Sequence, residues 1–256
     1  MIGKRKCLLW ILAALFIGFE GYLFYLIHIA GVEVSLDLMY LYVFSPPIFS
    51  FLTFIIELAT ARDENDKISR IIFDVKGGNF IRIAMLFTLV ADYFMVAKAE
   101  EDNLTGVIVF LGTQFFIFLH IFVNDESKKS RFANIAIRLI LIPIFIIFAY
   151  VILGEYTDLM AIISVIYFSN LCVNAVFAHR IGRGGILLTV GLVLFALCDI
   201  NVALSGLYNV YTDVFAESEF LYKIMNLNID LIWLFYTPSQ VLIPLTPLIS
   251  NKTVKN

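Results

Sequence analysis

Asp92, in the stretch FTLVADYFMV, and Asp199, in LFALCDINVAL, are ionisable residues surrounded by apolar sequence. Glu20, in FIGFEGY, is a third. A helix through any of them carries no basic residue within one turn, so a local ion pair does not account for them. An ionisable side chain at the centre of a bilayer costs at least about 2.5 kcal/mol, which makes such residues markers of a pathway or a site. Two carboxyl groups sharing a dry cavity cannot both ionise cheaply, so one keeps its proton while the other stays an anion. That pair can protonate one atom of a substrate and stabilise positive charge at the next, acid–base chemistry that needs no metal. The plainer role of either aspartate alone is to cap a kink or bond a neighbouring helix.

Other polar residues point less directly to chemistry. Cys7, Cys172 and Cys198 lack CxxC spacing, and His28, His120 and His179 are scattered, so neither a disulfide framework nor a zinc site is indicated. No metal or cofactor is expected. Cys198 has no His nearby in sequence to activate it and reads as a small packing residue. His120 reads as an interface residue, and Asn170, Asn174 and Asn201 as makers of interhelical bonds. Arg82 and Arg138 lie near the ends of apolar stretches, where snorkelling to headgroups is the default.

The elements that must position these groups follow from composition. The 256 residues are 61% apolar and 15% charged, with 25 Phe and 12 Tyr and a mean hydropathy of +0.92. Soluble domains average roughly 45–50% apolar and 25% charged. So few charges cannot coat a fold in water, and the chain reads as all-α, a polytopic transmembrane helical bundle in the cell membrane. A net charge of −3 offers no basic stripe to nucleic acid. Apolar runs of about 20 residues, long enough to cross a bilayer, fall at 8–30, 36–58, 80–98, 105–123, 132–153, 158–178, 184–207 and 226–249. With short connections between these eight spans, residues 1–256 read as a single integral membrane domain. The first span follows Lys4-Arg5-Lys6 without a small-residue cleavage site and reads as a retained anchor.

With both termini cytoplasmic, all of the 18 Lys and Arg residues except Lys98 and Lys223 fall at the inner side, as the positive-inside rule asks. Outer loops are acidic, at Glu100-Glu101-Asp102 and from Asp213 to Glu219, and the long link 59–79 reads as a solvated connector. At 1.5 Å per residue from the outer end of each span, Asp92 lies roughly 9 Å deep, Asp199 about 12 Å, Gln114 about 14 Å, and Glu20 and Tyr236 about 15 Å. Pro46-Pro47 is expected to break span two at about the same depth. These residues describe one polar layer.

The surroundings of the two aspartates resemble the YhhN-like, lysoplasmalogenase family of eight-span membrane proteins. Its first motif, Gly-Asp-x-x-Leu before a span with a Gly, an aromatic and a His, is similar to LFTLVADYFMVAKAEEDNLTGVIVFLGTQFFIF, with Ala91 for Gly and Gln114 where His is expected. A second, Gly-x-Leu-Phe-x-x-Ser-Asp followed by Ala-Leu, is similar to GLVLFALCDINVALSG, which keeps Gly191, Phe195, Asp199, Ala203 and Leu204 and has Cys198 for Ser. The Tyr-Tyr-x-x-Gln-x-Leu-like ending resembles WLFYTPSQVLIPL, with Tyr236, Gln240 and Leu242. The family's Lys-Pro in span two corresponds to Ser45-Pro46-Pro47 without the lysine.

The resemblance implies a membrane lipid substrate and a hydrolase: cleavage of the vinyl ether bond of lysoplasmalogens to a fatty aldehyde and a glycerophospho-base. It makes Asp92 and Asp199 the catalytic pair, with Gln114, Tyr236 and Gln240 as candidates for holding water or a glycerol oxygen. Two other classes stay open from the residues. In a proton- or cation-coupled transporter, or a lipid-binding membrane protein, the acids would relay protons; spans three and seven run the same way, as a four-plus-four repeat would make them. An intramembrane aspartyl protease also uses two Asp, but its Gly-x-Gly-Asp pattern is absent here.

Overall fold

Hydrocarbon offers peptide groups no hydrogen-bond partner, so an apolar run inside it must close its backbone bonds on itself as a helix. A computed structural model describes residues 2–30, 32, 35–59, 78–97, 103–182, 184–210 and 230–250. These form eight α-helices: α1 (Ile2–His28), α2 (Leu36–Ala59), α3 (Asn79–Asp92), α4 (Asn103–Asn124), α5 (Lys128–Leu153), α6 (Leu159–Ala178), α7 (Gly185–Val210) and α8 (Leu231–Ser250). Seven of them are long and apolar enough to cross a membrane. The other, α3, is a 14-residue helix continued by a five-residue π turn, Tyr93–Ala97. Most of the charged link 59–79, the acidic loops, and Lys98, Arg183, Lys223, Lys252 and Lys255 lie outside the described residues.

Short side chains start the helices where the sequence turns polar. Ser127 accepts a bond from the Ser130 N–H at the start of α5, Asp158 from that of Ala161 at α6, and Asp230 from that of Ile232 at α8, each satisfying a donor the first turn leaves free.

Helices α3, α4, α6, α7 and α8 pack in that order into a ring, which α8 closes by returning to α3. Ile81, Met85, Ile117, Ile121, Leu171, Leu188, Leu192 and Ile243 fill it and are almost wholly buried. The pair α1 and α2 lies against α3 and α8, joined by a smaller cluster in which Phe16 stacks on Phe49 at 4.3 Å. Helix α5 touches mainly α6 and leaves Phe132, Leu139 and Val151 exposed, side chains suited to lipid.

Water drives none of this packing in a bilayer, so close backbone approach and interhelical bonds matter more. At Gly106 an added Cβ would sit 2.7 Å from Met95 Cγ, which shows how closely α4 approaches the end of α3. Gly78 precedes α3 at φ 112°, a region L-residues avoid, and a Cβ there would lie 2.5 Å from Pro247 of α8. Gly78→Ala is therefore expected to destabilise the fold by about 1–3 kcal/mol, read as a lower thermal midpoint in detergent.

Two sequence expectations change. Helix α2 does not break at Pro46-Pro47; it runs from Leu36 to Ala59. The carbonyls that lose their N–H partners to these prolines are those of Tyr42 and Val43, and both residues are buried against protein, where freed carbonyls are tolerated. Nor do Arg82 and Arg138 snorkel. Arg82 turns inward, its Nη2 donating to Glu57 Oε2 of α2 at 2.8 Å and its Nη1 to Asn79 Oδ1 at 2.6 Å. Arg5 of α1 lies 3.7 Å from the other Glu57 oxygen. An acid on α2 is thus shared by arginines of α1 and α3, and headgroups are not needed. Arg138 is bonded to α6, as described below.

Candidate functional site

Asp92 is the last residue of α3, where the helix widens into the π turn, a local distortion frequent at functional sites. It is 4% exposed, and the Tyr236 hydroxyl of α8 donates to its Oδ2. On the opposite part of the ring, Tyr167 of α6 donates its hydroxyl to Asp199 Oδ2 of α7 at 2.7 Å. Asp199 is only half-buried. Between the two acids runs a continuous series of ring contacts, from Tyr236 to Phe195, from Phe195 to Phe110 and from Phe110 to Tyr167. The ring thus carries two acids from distant segments, each held by a phenol from a neighbouring helix.

Aromatic edges hold the phenols. Phe195 meets the Tyr236 ring at 5.8 Å and Trp233 meets it at 5.6 Å, both edge to face. Phe110 lies 5.8 Å from Tyr167 and meets Phe195 edge-on at 5.7 Å. With their rings wedged, the tyrosines have little freedom to swing their hydroxyls away.

Of the residues singled out in the sequence, Asp92 and Tyr236 are thus brought into contact, while Asp199 is held by Tyr167. Gln114 and Gln240 sit at a second level. Gln240 is one turn beyond Tyr236 on α8, and Gln114 one turn beyond Phe110 on α4, about 6 Å along the axis in each case. Gln114 is fully buried; its Oε1 and its backbone carbonyl each accept from Asn174 Nδ2 of α6 at 2.9 Å. Its Nε2 has no partner among the described residues, nor does the Oε1 of the buried Gln240. Glu20 is bonded between α1 and α2, where Ser45 of α2 donates to it. Beside this pair, an apolar groove of about 700 Å³ between α1 and α2 is lined by Phe16, Phe19, Phe44, Ser45 and Ile48.

Tyr167 was not singled out from the sequence, since nothing marks one tyrosine among 12. A depth count would have found it: eight residues into α6 is about 12 Å, the depth reckoned for Asp199. Asn170 and Asn174 do make bonds between helices, to Arg138, whereas Asn201 bonds the Leu197 carbonyl of its own helix at 2.7 Å. Cys198 is buried among apolar side chains as a packing residue.

The architecture is that of a multi-pass helical membrane protein whose buried polar groups centre on a pair of tyrosine-bonded aspartates. The sequence profile of the YhhN family matches residues 67–246, and the chain belongs to that family. The match takes in both aspartates, both tyrosines, Gln114 and Gln240, while all of α1 and α2, with Glu20 and Pro46-Pro47, precede it. No curated protein and no solved structure is detectably similar to the chain.

Proposed function

We propose that the protein is a hydrolase of the cell membrane that cleaves the vinyl ether bond of lysoplasmalogens, with Asp92 and Asp199 as its acid and its anion. The observation that carries this reading is that each carboxyl has one oxygen held by a tyrosine hydroxyl and that a series of ring contacts joins the two tyrosines. Membership of the YhhN family supports it.

The chemistry needs only a proton, a counter-charge and water. The protonated carboxyl transfers its proton to the β-carbon of the vinyl ether, and the π electrons that form the new C–H bond leave positive charge shared between the α-carbon and oxygen. The anionic carboxyl stabilises that oxocarbenium ion. Water adds to the α-carbon and loses a proton to the carboxylate that gave one up. The hemiacetal then collapses to aldehyde and the glycerol hydroxyl. No electrons enter or leave. The two acids act as one coupled unit, so their roles belong to the pair. Tyr167 and Tyr236 hold the carboxylate oxygens in place.

The test is aldehyde release from a purified lysoplasmalogen in detergent, without a membrane gradient. Release that requires both aspartates supports the hydrolase. Proton-driven flux in liposomes with no aldehyde formed would point to the transporter class instead.

A further inference from the structure

Arg138 lies on α5, outside the ring, and is 8% exposed. Among the described residues no carboxylate pairs with it. Its guanidinium instead donates to three side-chain carbonyls: Nε to Asn134 Oδ1 at 2.9 Å, Nη1 to Asn170 Oδ1 at 2.5 Å and Nη2 to Asn174 Oδ1 at 2.5 Å. The ring of Phe118 covers it, 4.5 Å from Cζ. A buried cation needs compensation, and three asparagines are an unusual way to provide it.

The consequence lies one residue further on. A guanidinium has donors only, so the Asn174 oxygen has to face Arg138, and the Asn174 amide nitrogen has to face the other way, toward Gln114. A donor facing Gln114 requires an acceptor there. Gln114 therefore turns Oε1 to Asn174, and its buried Nε2, with two N–H donors, has no partner among the described residues. The direction of every amide follows from the one group that cannot accept. An unsatisfied donor pair at this depth is costly, which marks a place where an acceptor oxygen belongs.

We propose that Arg138 is a positioning residue: acting through Asn174, it locks the Gln114 amide so that only N–H donors face the substrate, where they bind an oxygen of the glycerophospho-end. This rests on the hydrolase reading above. The geometry suits it, because those oxygens lie from about four bonds (the glycerol hydroxyl) to about seven (a phosphate oxygen) from the vinyl α-carbon, a reach that spans the roughly 6 Å between the two levels.

The test uses the full chain in detergent, with kcat and KM for aldehyde release and binding of a 1-O-hexadecyl lysophosphocholine, which keeps the substrate oxygens but lacks the vinyl bond. Gln114→Leu and Arg138→Met are each expected to raise KM and weaken analogue binding about tenfold, the loss of one hydrogen bond. The double variant should be no worse than Gln114→Leu alone, because Arg138 acts only through Gln114. Asn174→Asp guards against a failure to fold. Its carboxylate faces Arg138, so the thermal midpoint should stay at or above wild type. It cannot donate, however, so Gln114 flips and affinity falls about tenfold all the same. If Arg138→Met does not fold, Asn174→Asp replaces it in the comparison with Gln114→Leu.

A 1-alkenylglycerol tells the two oxygen sources apart. If the Gln114→Leu penalty persists on it, the glycerol oxygen is the acceptor; if the penalty vanishes, the phosphate is. Additive losses in the double variant, or an Asn174→Asp protein with wild-type KM, would overturn the proposal while leaving the hydrolase reading intact. A wild-type protein that neither cleaves the lysoplasmalogen nor binds the analogue would overturn both.

Discussion

Asp92→Asn and Asp199→Asn, purified separately, are each expected to lower aldehyde release by about 10²–10⁴-fold, the usual contribution of a positioned acid or base. Asparagine keeps the size of the side chain and an oxygen that can accept from Tyr236 or Tyr167, so the helix ends and the ring have no reason to rearrange. What it loses is the capacity to give up a proton or to carry negative charge. Because both functions are needed on one bond, the double variant should fall little below the worse single one. Thermal midpoints should hold or rise, since a buried acid is exchanged for a neutral group. Turnover near the wild-type rate in either single variant would sink the paired-acid mechanism.

Tyr167→Phe and Tyr236→Phe come next, with an expected fall of about 10–100-fold in kcat each. A hydrogen bond to a charged group contributes roughly 1.5–3 kcal/mol, and each 1.36 kcal/mol is tenfold in rate. Phenylalanine leaves the ring contacts with Phe110, Phe195 and Trp233 in place, so the change isolates the hydroxyl. The phenols touch the acids and not the lipid, so KM should move less than kcat. The opposite split, a raised KM at unchanged kcat, would make the tyrosines substrate contacts and the carboxylates freely placed.

The two tyrosines also show how far sequence carries. Tyr236 stood out because it lies in a recognisable C-terminal pattern, whereas Tyr167 occupies an ordinary apolar helix and gains its role only from facing Asp199 across α6 and α7. Gln114 stands out by its place in the motif, yet the direction of its amide depends on Asn174 and Arg138, which come from two other helices. The depths reckoned from span ends merged both levels into one, since an error of three residues at a helix end is about 5 Å. Arg82 was read as snorkelling because its partner, Glu57, is 25 residues away on a different helix.

By itself the sequence determined the bundle class, the family, and the two acids that lipid makes costly. All three are local: hydropathy adds up along the chain, motifs are short, and a carboxyl group in an apolar run is conspicuous wherever the run packs. Tertiary structure alone decided which phenol meets which acid, that Glu20 is bonded by Ser45, and that a cation on a peripheral helix sets the direction of an amide inside the ring. Those outcomes depend on how each helix is rotated about its axis and slid against its neighbours. That is fixed by contacts such as Pro247 against Gly78, between helices far apart in the chain.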